Sequence, residues 1–294
     1  DWMDRIRAAA RHLSYRGIYV VSIGGQVSST RLLHHCEGAD RYEALESLDG
    51  EPRQVYRHNE LVQVVWPSSR RLLVEQRPVA LPGWPALGTS GALSSYRLVE
   101  HAPLRVAGRD AAGLELAPTD AWRHGVRLWA DRSTGLLLRT EVLGGDGRVL
   151  ESAGFVELTV GGTTRPAELL RTATQAHFEV VRPRISDTSL EHEGWALQPP
   201  VPGFRLVRVV RRAMNDATGP AGDAVQAVCG DGVAQLSLIV ERDDGGPSAS
   251  ETASRGLGAT QRMTRQRGHH RVTAVGDVPE ATLRAFIDAL RPRR

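Results

Sequence analysis

The chain has 294 residues, enough for two domains and a sizeable core. Hydrophobic residues make up 41% of it, an ordinary share for a globular fold, and no apolar run approaches the length of a bilayer-crossing helix. The net charge of +3 rests on Arg alone, with no Lys anywhere, and the positives are scattered among 34 acids, which argues against a nucleic-acid footprint.

Residues 1–13 place Trp2, Ile6, Ala9, Ala10 and Leu13 at helical spacing, predicting an amphipathic helix that plugs one end of a β structure. From Tyr15 to Trp66 the chain runs RGIYVVSI, QVSSTRLLHHC, ADRYEALESL, EPRQVYRH and ELVQVVW. These β-prone runs break at Gly24-Gly25, Glu37-Gly38, Asp49-Gly50 and His58-Asn59, pairs that favour tight hairpins. Strands joined so tightly are sequential and antiparallel, because a parallel crossover needs a dozen residues or more. After SRRLLVEQR, prolines 78, 82 and 85 around Trp84 predict a long surface loop over 77–92.

Strands resume with YRLVEH, PLRVAGR, GLELAPT, GVRLWADR, GLLLRTEVL and RVLESAGFVELTV. Val126, Leu128 and Ala130 alternate with Arg127, Trp129 and Asp131, and a Trp opposite an apolar face predicts a second packing surface. PAELLR, at 166–171, reads as a short helix; 172–203 then gathers Pro183, Pro199, Pro200 and Pro202 and reads as a linker. From Phe204 a small antiparallel sheet is expected, with an Asp231-Gly232 hairpin, a loop over 243–256 and a C-terminal helix started by Pro279. The fold class is therefore mainly β (α+β): residues 1–171 form a large β domain, 172–203 a linker and 204–294 a small α+β domain.

No nucleophile elbow, phosphate loop, C-x-x-C or H-E-x-x-H stands in the chain, so no catalytic residue, metal or cofactor is expected. His34-His35 and His269-His270 sit in predicted strands, where neighbours point to opposite faces and cannot share an ion. Cys36 and Cys229 lack nearby ligand partners; they read as small buried thiols, with a disulfide between them left open. Asp131 and Asp146 read as turn residues. Arg208, Arg211 and Arg212 form a basic edge, either a solvated face or a site for an acidic partner. The start at Asp1 rather than Met fits a mature chain whose signal peptide has been removed, though an edited chain would look the same.

The residues themselves carry a further signal. DWMDRIRAAARHLSYRGIYVV, HHCEGADRYEALESLDGEPRQVYRHN, RVAGRDAAGLELAPTDAWRHGVRLWADRSTGLLLRTEVLGGDGRVLESAGFVEL, PPVPGFRLVRVVRRA and VCGDGVAQLSLIVE resemble, in order, the RseB/MucB family. The resemblance spans nearly the whole chain, and its most specific pieces are Leu48-Asp49-Gly50, Arg105 to Arg109, Asp131 to Leu136 and Asp231 to Ala234. It implies a periplasmic regulator that binds the periplasmic part of a membrane-spanning anti-sigma factor, shields it from proteolysis and responds to lipopolysaccharide. It also implies a large domain similar to the lipoprotein carriers LolA and LolB, an unclosed antiparallel β half-barrel with covering helices, and a small domain that holds the partner. On that basis Trp84, Trp129 and Phe155 are lipid-pocket candidates, and Arg208, Arg211 and Arg212 are partner-binding candidates. The alternative reading is a periplasmic carrier of lipids or lipoprotein acyl chains. A homo-oligomer stays open.

Overall fold

Tight turns decide the topology. At Gly24-Gly25 both residues have positive φ, +56° and +84°, so the chain reverses within two residues. In the computed structural model, which describes residues 1–76, 93–162, 177–214, 222–243, 252–254 and 256–293, this turn joins β1 (Tyr15–Ile23) to β2 (Gln26–Glu37). Hairpins continue through β3 (Asp40–Ser47), β4 (Gln54–His58), β5 (Leu61–Trp66) and β6 (Arg71–Gln76), each antiparallel to the last.

A second meander runs through β7 (Tyr96–Val106), β8 (Arg109–Pro118), β9 (Gly125–Asp131), β10 (Leu137–Leu143) and β11 (Val149–Val160). It returns to the start of the first, because β11 pairs with β1. The result is one 12-stranded sheet that does not close, with β7 at one edge and β12 (Glu179–Val181) at the other. Two details depart from the sequence reading. YRLVEH and PLRVAGR are one strand, β7, bulged between His101 and Leu104, and the true reversal is Ala107-Gly108, both at positive φ. The sheet is also not wholly antiparallel, since β12 lies parallel to β6.

The first helix, α1 (Trp2–His12), is capped by the Asp1 carboxylate accepting from the Met3 N–H. Its Met3 and Ile6 join Leu114, Leu116, Val126, Leu128 and Ala130 in one cluster, while Ala9 joins Tyr15, Tyr19, Trp129 and Phe155 in another. The sheet is thus packed on both faces around β8, β9 and β10, as the Trp129 alternation predicted. The helix read at 166–171 and the loop at 77–92 lie outside the described residues.

The small sheet is ordered β13 (Ile185–Asp187), β15 (Arg205–Met214), β16 (Gly222–Gly230), β17 (Gln235–Arg242), β20 (His270–Gly276), β19 (Gln261–Arg267) and β18 (Thr252–Ser254). A second helix, α2 (Glu280–Ala289), lays Leu283, Phe286 and Ile287 onto it, all fully buried, and Phe286 meets Phe204 edge-on at 5.4 Å. His269 falls in the turn before β20, so His269-His270 is not a within-strand pair: Gly268, at φ +59°, reverses the chain there.

The stretch read as a linker is stitched to both sheets in its described part. β12 extends the large sheet, β13 pairs with β15, and β14 (Trp195–Ala196) pairs with β21 (Arg291–Pro292). Only residues 182–184, with Pro183, connect β12 to β13.

The two sheets meet through buried polar contacts. Arg123, between β8 and β9, is fully enclosed and donates to Asp231 Oδ2 at 2.5 Å, to the Pro202 carbonyl at 2.7 Å and to Asp120 Oδ1 at 3.0 Å. Asp231 also accepts from Tyr96 OH at 3.2 Å and from the Val233 and Ala234 N–H groups at 2.8 Å each. Glu151 of β11 accepts from Ala259 N–H at 2.7 Å, and the Thr282 hydroxyl of α2 donates to the Trp122 carbonyl at 2.6 Å.

Candidate functional site

Strand β15 alternates, and that alternation splits the basic edge. Val209 faces Ala227 and Arg211 faces Val225, on the side of the small core; Arg208, Val210 and Arg212 point the other way. The three Arg forks therefore do not form a single row. Arg211 grips Glu193 with two bonds, Nη2 to Oε2 at 2.7 Å and Nε to Oε1 at 3.2 Å. Burial pushes the Glu193 carboxyl up, but its bonds from Arg211 and Thr188 outweigh this and leave it below its usual value. Arg208 pairs with Asp187 at 2.9 Å with both groups exposed, and Arg212 reaches across to Glu75 of β6 at 4.0 Å.

Beside Arg211 lies an open polar depression of about 490 Å³, lined by Asp187, Thr188, Ser189, His192 and Glu193. Strand β13 covers β15 only at Val210 to Arg212. The carbonyl of Val209 accepts from Thr188 N–H at 3.1 Å. Ahead of that point Leu206 and Val207 are exposed, Val207 by 67%, where a bulge interrupts pairing with β16. This is an uncovered stretch of sheet edge with apolar tips and Arg208 at its end.

The pocket candidates are placed differently. Trp129 and Phe155 come together in one core cluster, both almost wholly buried. Trp129 Nε1 donates to the Ala102 carbonyl at 3.1 Å, and the Phe155 ring meets Tyr15 and Tyr19 edge-on at 6.0 and 6.1 Å. Trp84 lies outside the described residues. The Asp131 carboxylate accepts from the Ser133 and Thr134 N–H groups at 2.8 Å each, and Asp146 accepts from Arg148 N–H at 3.1 Å, both as turn residues.

Cys36 and Cys229 are free thiols on different sheets. Among the described residues no cluster of three or more His, Cys, Asp or Glu side chains could hold a metal ion. Sequence reading missed Arg123. It is a single Arg in a loop with no periodic signal, and only its partner Asp231, 108 residues away, reveals it.

Comparison with known proteins adds the following. Residues 1–176 match the family model of the MucB/RseB N-terminal domain, and residues 189–291 match that of the MucB/RseB C-terminal domain. The sigma factor AlgU regulatory protein MucB of Pseudomonas aeruginosa is 30% identical, over 99% of this chain and 90% of that protein. The sigma-E factor regulatory protein RseB of Haemophilus influenzae is 23% identical over the same shares. A crystal structure of MucB in complex with MucA(peri) superposes with a TM-score of 0.78 at 27% identity, covering 100% of this chain and 98% of that one.

Proposed function

This chain belongs to the MucB/RseB family, and on that premise we propose that it is a sigma-factor regulator that binds the periplasmic region of a membrane anti-sigma factor. It acts in the periplasm by occupancy rather than catalysis, holding the anti-sigma factor away from the protease that would cut it. The observation that carries this reading is the likeness, over the full chain, to a MucB solved with MucA(peri). Both family domains are present, in order. Lipid or lipopolysaccharide is the stress signal, entering the large sheet near Trp129 and Phe155.

We place the partner contact on the uncovered stretch of β15. An extended segment adding there gains ladder bonds beside Leu206 and Val207, and its acidic side chains meet Arg208. Arg211 is less free, because a partner carboxylate must displace Glu193. Exposed charges at a rim mainly set association rate and salt dependence.

Stopped-flow mixing of the full chain with the periplasmic region of its cognate anti-sigma factor tests this. Arg208→Glu should slow association roughly threefold to tenfold and flatten its salt dependence. Circular dichroism and melting should stay unchanged, because the Arg208–Asp187 pair is exposed. Binding that ignores both this change and salt returns Arg208 to a solvated face. No binding by the full chain removes the regulator reading itself.

A further inference from the structure

Across β1 to β4 four side chains stand directly opposite one another on the core face: Tyr15 to His34, His34 to Glu43, Glu43 to Arg57. Cys36, two residues on from His34, shares that face, and its Sγ lies 3.2 Å from His34 Nε2. His34 Nδ1 is 2.9 Å from Glu43 Oε1, and Glu43 Oε2 is 3.0 Å from Arg57 Nη1. His34 and Glu43 are buried; Cys36 is partly open to solvent.

The array has a definite polarity. Burial works to raise the Glu43 carboxyl, but the bond from His34 and the charge of Arg57 hold it below its ordinary value, so it is ionised. An ionised carboxylate only accepts, which puts the imidazole proton on Nδ1 and leaves the Nε2 lone pair facing sulfur. The Tyr15 ring stacks on His34 at 4.8 Å and 20°, which fixes the imidazole plane. Burial pushes the Cys36 thiol up, against the pull of Arg41 on the facing position of β3, so sulfur rests protonated. A resting thiol reacts only if something takes its proton. Its other acceptor is the Leu13 carbonyl at 3.6 Å, which cannot take a proton, whereas His34 can.

We propose that Cys36 is a base-assisted nucleophilic thiol and a modification site for small hydroperoxides, with His34 passing the proton and Glu43 orienting His34. In the step, Cys36 Sγ attacks one peroxide oxygen while its proton moves to His34 Nε2. The O–O bond breaks, and the imidazolium returns the proton to the departing oxygen. Cys36–SH and ROOH become Cys36–SOH and ROH; sulfur loses two electrons and the peroxide gains them. A hydroperoxide suits the array better than a disulfide, because a departing alkoxide or hydroxide needs a proton donor and a departing thiolate does not. Cys229 cannot resolve the product, since it is fully buried in the other sheet, so the sulfenic acid persists until an external thiol reduces it.

The test treats the full chain with hydrogen peroxide near about pH 7, traps sulfenic acid with dimedone and locates it by mass spectrometry. Native Cys36 should be labelled at least about tenfold faster than the same residue in the urea-unfolded chain, with native Cys229 unlabelled. The native rate should also vary less between about pH 7 and about pH 9 than the unfolded one, whose thiol ionises over that range. His34→Gln and Glu43→Gln should each lose the advantage while the far-ultraviolet spectrum is kept. If either variant fails to fold, the native-against-unfolded comparison decides alone. Labelling no faster in the native chain, or equally fast in a folded His34→Gln chain, overturns the proposal.

Discussion

At the scale of single residues, the contacts that matter most are those where a charge meets the other sheet. Glu151 is buried on β11, and its Oε1 takes the Ala259 N–H from the turn before β19. Gly258, at φ +66°, lies so close that an added Cβ would stand 2.6 Å from that oxygen. Burial is the main cause that raises the Glu151 carboxyl; the Ala259 N–H opposes it and Asp277 adds to it. A carboxyl raised in the folded state binds its proton more readily than in the unfolded chain. Its contribution is therefore full below the unfolded value, near about pH 4, and is lost as pH rises through the folded one. Glu151→Gln keeps an acceptor for Ala259 and never ionises. Its Tm should match the parent's near about pH 4 and exceed it by roughly 2 °C or more at about pH 8, read by calorimetry across pH. A gap that does not change with pH would refute this account. Nothing around residue 151 in the sequence announces the contact, because the turn that meets it lies 108 residues away.

At the scale of elements, α1 bears on the proposed lipid signal, because its Ala9 belongs to the cluster that holds Trp129 and Phe155. Its spacing was legible in Trp2, Ile6 and Ala9, but its position was not: Ala9 joins the cluster that holds Trp129 and Phe155, while Met3 and Ile6 join the one that holds Leu128. Trp129 and Phe155 are almost wholly buried, so an acyl chain reaches them only if the packing around them opens. A lipid A fragment that enters should shift the emission of Trp129, lose most of that response in Trp129→Phe, and give a negative heat-capacity change of binding. Emission that does not change, together with a heat-capacity change near zero, would leave Trp129 and Phe155 as plain core and take the lipid reading with them. Strand β7 makes the same point in reverse. Its two halves read as separate strands because Pro103 breaks the pattern, yet the ladder to β8 absorbs the proline as a bulge.

At the scale of the whole molecule, the joint between sheets is built around Arg123. It is fully enclosed, lies over the rings of Tyr96 and Phe204 at 5.7 and 5.3 Å, and neutralises Asp231, which holds the β16–β17 hairpin through two N–H bonds. Removing one partner of a buried pair leaves the other charge stranded, at a cost of about 3–5 kcal/mol. Arg123→Ala should therefore lower the Tm and split calorimetric melting into two transitions, one for each sheet. A single transition at the parent's temperature would mean the sheets are held together by other contacts. We assign the boundary between the two units to residues 182–184, where the chain leaves β12 and enters β13.

By itself the sequence determined most of the strands, their order within each meander, the first and last helices and the family. Those features rest on local physics: turn residues that allow positive φ, alternation along a strand and apolar spacing on a helix. The tertiary structure alone decided the rest. It paired β11 with β1, laid β12 parallel to β6 and stood Glu43 behind His34 and Cys36. Each of these joins residues that no local rule connects, because pairing across a sheet depends on which distant strand arrives beside it.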